Sequence, residues 1–429
     1  MFEIGLDLSS YKISAVELFK KRGDIYIKNA GIIDIEPHAI VGGELIDSIV
    51  FTNGLKDLWK NFKFQKKEVN LGLSGIKLIV KEIELPVTDD KDIEKSINYQ
   101  IEEYIPIAKE NILFDFYVIE KNSKSSKVMV IGAMKNAVNN FVEAAKDAGL
   151  KVNSVDLNCF AFYRAVNFLY NFKKITLKEN QNSFCLVHFG QEVSIIEFAD
   201  TNELRYPRYV NSSLNSFIEN LNKKLDLSNE ELKRKIMEFD FETLLNKETK
   251  KKKIEQKFSS EENTNSLIEN NNLSDSNNNI NKNNFNLSEE KTTKNNAAEI
   301  NIGSSSLNQE DKNSIKKPDD PEEDVLINIK DSLKISANQL VNEIIRSNDH
   351  FLQENRDLKI NKILISGENL INLDKYIDKN LKIPVERINM DKIINPDLFK
   401  KNNLFKFENI NNYSDRLIIS LGLALRGIK

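Results

Sequence analysis

The stretch "GLDLSSYKISAVEL" (Gly5–Leu18) decides the fold. It predicts two strands, Phe2–Leu8 and Ile13–Phe19, because alternating apolar residues flank a tight polar turn. Asp7 and Ser10 stand at this turn, where short residues let backbone N–H groups approach an anion such as phosphate. The residues leave two interpretations open: a phosphate-binding hairpin, or a hairpin in which Asp7 only hydrogen-bonds within its own turn.

The composition describes a chain of 429 residues with a net charge of −4 and 40% hydrophobic residues. This length predicts two or more packed units. The small net charge gives no electrostatic case for nucleic acid as a partner. Cys159 and Cys185 lie far apart in apolar surroundings, which predicts reduced, buried thiols in a cytoplasmic protein. We expect no direct membrane insertion, because no apolar run approaches ~20 residues and the first residues do not resemble a signal peptide.

Strands and helices alternate along most of the chain, which is typical of an α/β fold. A third strand, Tyr26–Ile35, and a helix, Asp47–Asn61, follow the first hairpin. Isoleucines recur at every fourth residue between Pro86 and Pro106, which predicts a helix with a narrow apolar face: Ile93, Ile97, Ile101 and Ile105. Two strands and a second helix, Asn136–Ala148, follow it, and another helix is predicted at Asp156–Phe168.

A second strand–turn–strand, Ser183–Val187 and Val193–Ala199, recurs about 180 residues after the first. Two such hairpins are the pattern of a duplicated fold that binds phosphate between them. Residues 245–324 differ from everything around them, because Asn, Lys, Ser and Glu dominate and apolar residues show no period. This composition predicts a disordered insertion, since it cannot bury enough surface to offset the entropy of ordering.

Several stretches together resemble the PilM family of type IV pilus assembly proteins, which are actin-like and related to FtsA. After the opening hairpin come "VKEIELP" with "INYQIEEYIPI", and then four further stretches in the same order as in the family: Phe141–Val166, Glu343–Phe351, Ile363–Glu368 and Leu417–Gly427. The order and spacing of these stretches carry the resemblance, which covers nearly all of the chain except the Asn-rich insertion.

The resemblance implies an α/β fold with two actin-like (ribonuclease H-like) lobes, a cleft between them and a small α+β subdomain inserted in the first lobe. The first lobe is expected at 1–85, the inserted subdomain at 86–155 and a first-lobe helix with its connection at 156–182. The second lobe is expected at 183–244 and 325–412, with the insertion 245–324 as a long disordered loop within it. Residues 413–429 are expected to form the closing helix of the first lobe.

The resemblance also implies a cleft for ATP, in which Asp7 holds Mg²⁺ through water. The implied nucleotide contacts are Asp7, Ser9, Ser10, Lys12, Gly190, Ser194, Glu343 and Gly367. Several positions depart from the family pattern. Ser9 and Glu368 replace glycines, and His188 replaces an acid. Tyr11 and Lys12 replace small hydroxyl residues, Ser14 replaces a lysine, and Asn211, Ser212 and Ser213 stand where the family has a glycine pair. Two outcomes stay open, a cleft that binds ATP with Mg²⁺ and a degenerate cleft that binds neither. No catalytic residue is assigned, and at most a weak ATPase is expected.

In the family, a groove near the inserted domain takes the cytoplasmic N-terminal tail of PilN, a membrane-anchored partner. The resemblance therefore implies a cytoplasmic scaffold of the inner-membrane pilus platform, peripheral to the membrane through this partner and in contact with other platform proteins. Candidate tail contacts lie on the inserted helix: Asn98, Tyr99, Glu102 and Tyr104. The same four residues also fit a solvated helix face.

Three other functions remain as alternatives. A sugar or acid kinase of the actin-like superfamily needs an acid near the phosphate hairpins to deprotonate its acceptor, and no convincing acid is found. An FtsA-like filament former carries an amphipathic helix after the fold, whereas this chain stops at "LGLALRGIK". A GspL-like platform protein of type II secretion continues into a transmembrane helix, which this sequence does not contain.

Overall fold

The computed structural model describes residues 2–22, 24–75, 77–170, 182–200, 203–245, 321–388 and 415–428. The described residues up to 245 and from 325 onward belong to one compact unit. The predicted insertion, 245–324, lies outside the described residues except at its ends. Leu245 caps a short 3-10 turn, and residues 321–324 are already part of a helix.

Strands and helices alternate through the described residues as predicted. The strands are β1 (Phe2–Leu8), β2 (Lys12–Lys21), β3 (Asp24–Asp34), β4 (Ile40–Val41), β5 (Glu44–Leu45), β6 (Glu68–Leu73), β7 (Ile79–Leu85), β8 (Ile112–Lys121), β9 (Ser126–Met134), β10 (Lys151–Leu157), β11 (Asn182–Phe189), β12 (Ser194–Asp200), β13 (Leu204–Val210), β14 (Lys359–Gly367) and β15 (Val385–Arg387). The helices are α1 (Ser48–Phe62), α2 (Asp90–Tyr104), α3 (Lys135–Asp147), α4 (Asn158–Tyr170), α5 (Leu214–Asn222), α6 (Asn229–Glu238), α7 (Pro321–Glu354), α8 (Leu373–Asn380) and α9 (Ile418–Leu425). Within the described residues, no helix is long and apolar enough to span a membrane.

The two lobes repeat one topology. The first-lobe sheet has the order β10-β6-β1-β2-β3, and the second-lobe sheet has the order β15-β14-β11-β12-β13. In each sheet the first three strands of the lobe pair antiparallel, and the last two add in parallel on the far side of the first strand. The prediction of a two-lobed α/β fold with duplicated hairpins is confirmed.

Strand β10 is a first-lobe strand where the sequence predicts none. It pairs in parallel with β6, but its register shifts between Val152 and Ser154. Such a bulge interrupts the alternation of apolar and polar residues that reveals a strand. The helix predicted at Asp156–Phe168 begins only at Asn158, after this strand ends.

The inserted unit is a three-stranded antiparallel sheet, β7-β9-β8, covered by α2. Its first strand, β7, precedes residue 86, which is the start of the subdomain predicted from the sequence. Helix α3 packs instead in the first-lobe core, where Phe141 contacts Phe51 edge to face at 5.6 Å. The predicted bounds 86–155 therefore do not match the strand pairing, since pairing between distant strands has no local signal in the sequence. We propose 79–134 as the inserted unit.

Helix α9 is buried on all sides and closes the first lobe against β1 and α4. Glycine allows this close approach. A Cβ atom on Gly5 would lie 2.0 Å from the carbonyl oxygen of Ser420, and one on Gly422 would lie 1.8 Å from the carbonyl oxygen of Ala161. The "LGLALRG" stretch therefore forms part of the first-lobe core.

Gly422→Ala is expected to lower the free energy of unfolding by about 1–3 kcal/mol, because the new methyl group overlaps a backbone oxygen that cannot move freely. Gly427→Ala is the matched control, since its methyl group meets only the flexible carboxyl end of Glu3. Urea unfolding followed by circular dichroism measures both variants. Equal unfolding midpoints for Gly422→Ala and the wild type would contradict this packing.

Candidate functional site

The turns of the two duplicated hairpins face each other across the cleft between the lobes. In the first turn, the N–H and the hydroxyl of Ser9 both donate to the carbonyl of Lys12, at 3.0 Å each. In the second turn, the N–H of Gly190 donates to Ser194 Oγ at 3.2 Å, and the Ser194 hydroxyl donates to the Ser212 carbonyl at 2.6 Å. Both turns are therefore held by hydrogen bonds within the chain.

The cavity between these turns collects most of the residues predicted to contact nucleotide. Six of them line it: Asp7, Ser9, Ser10, Lys12, Gly190 and Gly367. Ser194 is fully buried behind its turn. Glu343 lies on α7 and pairs instead with Arg208 and Arg346, at 3.3 Å each. The structure therefore does not bring Glu343 to the cavity.

Three titratable groups of the cavity are shifted toward their neutral forms. Burial lowers the pKa of Lys12, although the charge of Glu368 opposes this shift. Burial raises the pKa of Asp7 to about 6, although Asn158 donates a hydrogen bond of 2.7 Å to its carboxylate. Burial and the nearby Lys12 lower the pKa of His188 to about 4. His188 Nδ1 lies 3.0 Å from the Ser366 hydroxyl, at the adjacent carboxyl ends of β11 and β14.

A charged cluster crosses the cleft. Lys12 Nζ donates to Glu368 Oε1, and Arg416 Nη2 donates to Glu368 Oε2 at 3.0 Å. Only 3% of the Glu368 side chain is exposed. Burial alone would raise the pKa of Glu368, but Lys12 and then Arg416 lower it, to about 2. Glu368 is therefore a carboxylate at neutral pH.

A second carboxylate crosses the cleft beside the first. Glu192, in the turn of the second hairpin, accepts from the Ser10 hydroxyl and from the Gly42 N–H, the latter at 2.7 Å. The first N–H groups of α5 are also in use, because Leu214 and Asn215 donate to the carbonyls of Gly190 and Gln191. The backbone donors with which a helix N-terminus binds phosphate are thus satisfied within the chain.

The closed cleft does not fit Mg·ATP. Its cavity measures about 60 Å³, whereas pockets for ligands of this kind measure roughly 300–1,000 Å³. Two carboxylates, those of Glu192 and Glu368, already hold the donors and cations that would hold phosphate oxygens. Among the described residues, no cluster of three His, Cys, Asp or Glu residues could hold a metal ion. The predicted contact of Asp7 with Mg²⁺ remains a prediction from the resemblance.

A larger groove of about 580 Å³ lies beside the inserted unit. It is bounded by β8 and β9, by α3 and α4 of the first lobe, and by Leu204 of the second lobe. The side chains that line it are mostly apolar or aromatic, including Leu113, Phe160 and Tyr163. Arg164 and Arg426 at its edge both pair with Asp156, at 2.9 Å.

The groove and helix α2 lie on opposite faces of the inserted sheet. Side chains alternate along a strand, so Ile112 and Val130 point toward α2 while Leu113 and Ile131 point toward the groove. The four residues predicted to contact a partner tail lie on α2, and none lines the groove: Asn98, Tyr99, Glu102 and Tyr104. Tyr99 is 90% exposed, and Glu102 accepts from the Lys109 N–H at 2.7 Å.

Comparison with known proteins identifies the family. More than half of the sequence, residues 5–251, matches the family described as type IV pilus assembly protein PilM. The chain belongs to the PilM family. A comparison with curated protein sequences found no match.

A solved structure titled "PilM-PilN type IV pilus biogenesis complex" has a TM-score of 0.68 and 17% identity to this chain, covering 100% of this chain and 98% of that one. At this identity the likeness shows the fold, which is the actin-like fold. EutJ from Carboxydothermus hydrogenoformans follows with a TM-score of 0.44 and 9% identity, over 100% of this chain and 90% of that one. An MreB of Spiroplasma citri bound to AMPPNP has a TM-score of 0.42 and 10% identity, over 94% and 96%. The last two likenesses are too weak to support an inference.

Three residues of the cleft are not found from the PilM pattern: Asn158, Glu192 and Arg416. Glu192 meets Ser10 across 182 residues of sequence, and Arg416 meets Glu368 across 48. Such pairs have no local spacing that could reveal them. One feature of the sequence could have indicated that a cation lies nearby: Glu368 stands at a turn where the family has glycine, and a buried carboxylate requires a cation close to it.

The variant Asp7→Asn tests whether Asp7 is protonated in the folded protein. The pKa of Asp7 in the folded protein, about 6, lies above its ordinary value of 3.8. The wild type therefore loses stability as the pH rises between these two values, whereas the variant with a neutral amide does not. The stability of Asp7→Asn relative to the wild type should therefore increase from pH 4 to pH 6 by up to about 3 kcal/mol and stay constant above. Chemical unfolding across this pH range measures the difference, and the exposed Asp57→Asn controls for the lost charge. If the difference in unfolding free energy between Asp7→Asn and the wild type did not change with pH, the raised pKa of Asp7 would be contradicted.

Proposed function

We propose that this chain is a cytoplasmic scaffold of the inner-membrane platform of a type IV pilus machine, and that it docks the cytoplasmic tail of a PilN-like membrane protein. The observation that carries the proposal is the apolar groove beside the inserted unit, in a chain that belongs to the PilM family. The similar structure of a PilM–PilN complex supports a PilN-like partner. Through this partner the protein is peripheral to the inner membrane, where it meets other platform proteins.

The groove suits an extended peptide. Strand β8 forms one wall and pairs only with β9 among the described strands, so its other edge can form backbone hydrogen bonds with an added strand. Apolar side chains along the groove provide contacts for alternate side chains of such a peptide. Leu113 is 40% exposed, so a peptide bound in the groove could cover it.

The groove is also preformed. The Tyr117 hydroxyl donates to the Leu204 carbonyl at 3.0 Å, and Arg205 lies 3.7 Å from Glu120. These contacts join the inserted unit to the second lobe and hold the groove walls together. A preformed groove loses little entropy when it binds a peptide. We therefore propose a binding function that requires no reaction step.

Leu113→Asp is expected to weaken tail binding at least tenfold, because it places a charge in the apolar groove at a cost of about 1.4 kcal/mol or more. Tyr99→Asp is the matched control, since it changes an exposed apolar residue on the opposite face of the same unit. The measurement is fluorescence anisotropy with a labelled synthetic peptide of the cytoplasmic tail of the PilN-like protein from the same organism.

The opposite result would favour the face of α2 on which the tail contacts are predicted from the sequence. If Tyr99→Asp abolished binding and Leu113→Asp did not, the groove assignment would be wrong while the PilN-like partner would stand. If the wild type failed to bind the tail peptide at all, the docking function itself would be wrong.

A further inference from the structure

The turn that carries Glu368 aims its carboxylate into the cleft. Its N–H donates to the carbonyl of Phe189 at 2.7 Å, which ties the end of β14 to the end of β11. Gly367 has a φ of +103°, and a Cβ atom there would lie 2.2 Å from the same carbonyl oxygen. The backbone therefore fixes the direction in which the Cα–Cβ bond of Glu368 leaves the turn.

The partners of this carboxylate have the chemistry of an oxyanion site. Lys12 and Arg416 each bind one of its oxygens and are themselves mostly buried, with 14% and 24% of their side chains exposed. Lys233 adds a further positive charge near the cluster and lies over the ring of Tyr11. A lysine and an arginine on one buried anion form the arrangement that binds phosphate as readily as carboxylate.

A second carboxylate, that of Glu192, accepts hydrogen bonds from neighbouring donors of the first lobe. Glu192 accepts from the Ser10 hydroxyl and the Gly42 N–H, both of which are first-lobe donors. The second lobe thus supplies two carboxylates, and the first-lobe side supplies the groups that hold them. The remaining cavity of about 60 Å³ has room for a few water molecules and not for a nucleotide.

We propose that Glu368 is a built-in anionic ligand of Lys12 and Arg416, which closes the lobes without nucleotide and leaves a phosphate site that opens only when this carboxylate is removed or displaced. The proposal concerns the cleft, and its test does not depend on peptide docking in the groove. It assigns phosphate groups, free or in a nucleotide, as the ligand class of the vacated site. When the lobes open, water solvates both cations, so the ion pairs contribute little net stability to the closed state. Glu368 excludes phosphate mainly because its carboxylate occupies the site.

Glu368→Gln tests the proposal, because the neutral amide leaves two buried cations without an anion and can therefore be displaced by a phosphate group. Its melting temperature is expected to fall by roughly 5 °C and to recover by at least half in about 10 mM pyrophosphate, at matched ionic strength. The wild type should not respond to pyrophosphate. Glu386→Gln is the matched control, since Glu386 pairs with Lys362 at 2.7 Å outside the cleft, and it too should not respond.

Recovery must also depend on Lys12. In the double variant Lys12→Met/Glu368→Gln, pyrophosphate should no longer raise the melting temperature. Equal recovery in the double variant would overturn the proposal, as would a Glu368→Gln variant that melts like the wild type. If Glu368→Gln did not fold, calorimetry on the wild type would still decide. The proposal expects no binding of Mg·ATP there, and a dissociation constant below about 100 μM would overturn it.

Discussion

The closed arrangement of the two lobes depends on the pairing of the Glu368 carboxylate with Lys12 and Arg416. Duplicated topology places two rigid hairpin turns opposite each other, and their polar groups must find partners because buried donors and charges without partners are costly. In this chain the partners come from the chain itself. Lys12 and Arg416 form ion pairs with Glu368, and the Ser10 hydroxyl donates a hydrogen bond to Glu192. The closed cleft therefore pairs these donors and cations within the chain, although the side-chain oxygens of Asn158 and Gln191 beside them accept no hydrogen bond from the described residues.

Closure of the cleft bears on the groove, because the same two lobes form both. Leu204 of the second lobe lines the groove, and its carbonyl accepts from Tyr117 of the inserted unit. A change in the angle between the lobes would move this wall relative to Leu113 and Phe160. Cations and carboxylates that pair across the cleft thus support a groove of fixed width, ready for a peptide. In this account a member of the PilM family keeps the actin-like fold for its shape, and the peptide groove carries the function.

The sequence predicted the elements near the opening stretch and their repetition, because alternating apolar residues and short polar turns are local patterns. It predicted α2 from four isoleucines, and the same pattern left Tyr99 exposed as a candidate contact. Local sequence patterns did not predict the pairing of β7 with β9, the bulged strand β10 or the ion pair between Arg416 and Glu368. Each of these depends on residues that are far apart in the chain. The positions that departed from the family pattern, His188 and Glu368, were the sequence's best indication that the cleft differs from an ordinary nucleotide site.

The most direct test of this account is the distance between the lobes in solution with and without Mg·ATP. Spin labels at Lys60→Cys on α1 and Glu219→Cys on α5 report it by pulsed electron paramagnetic resonance, and the native Cys159 and Cys185 are both buried. A cleft closed by its own side chains predicts one narrow distance distribution that Mg·ATP does not change. A broad distribution that narrows and shifts when Mg·ATP is added would contradict the account.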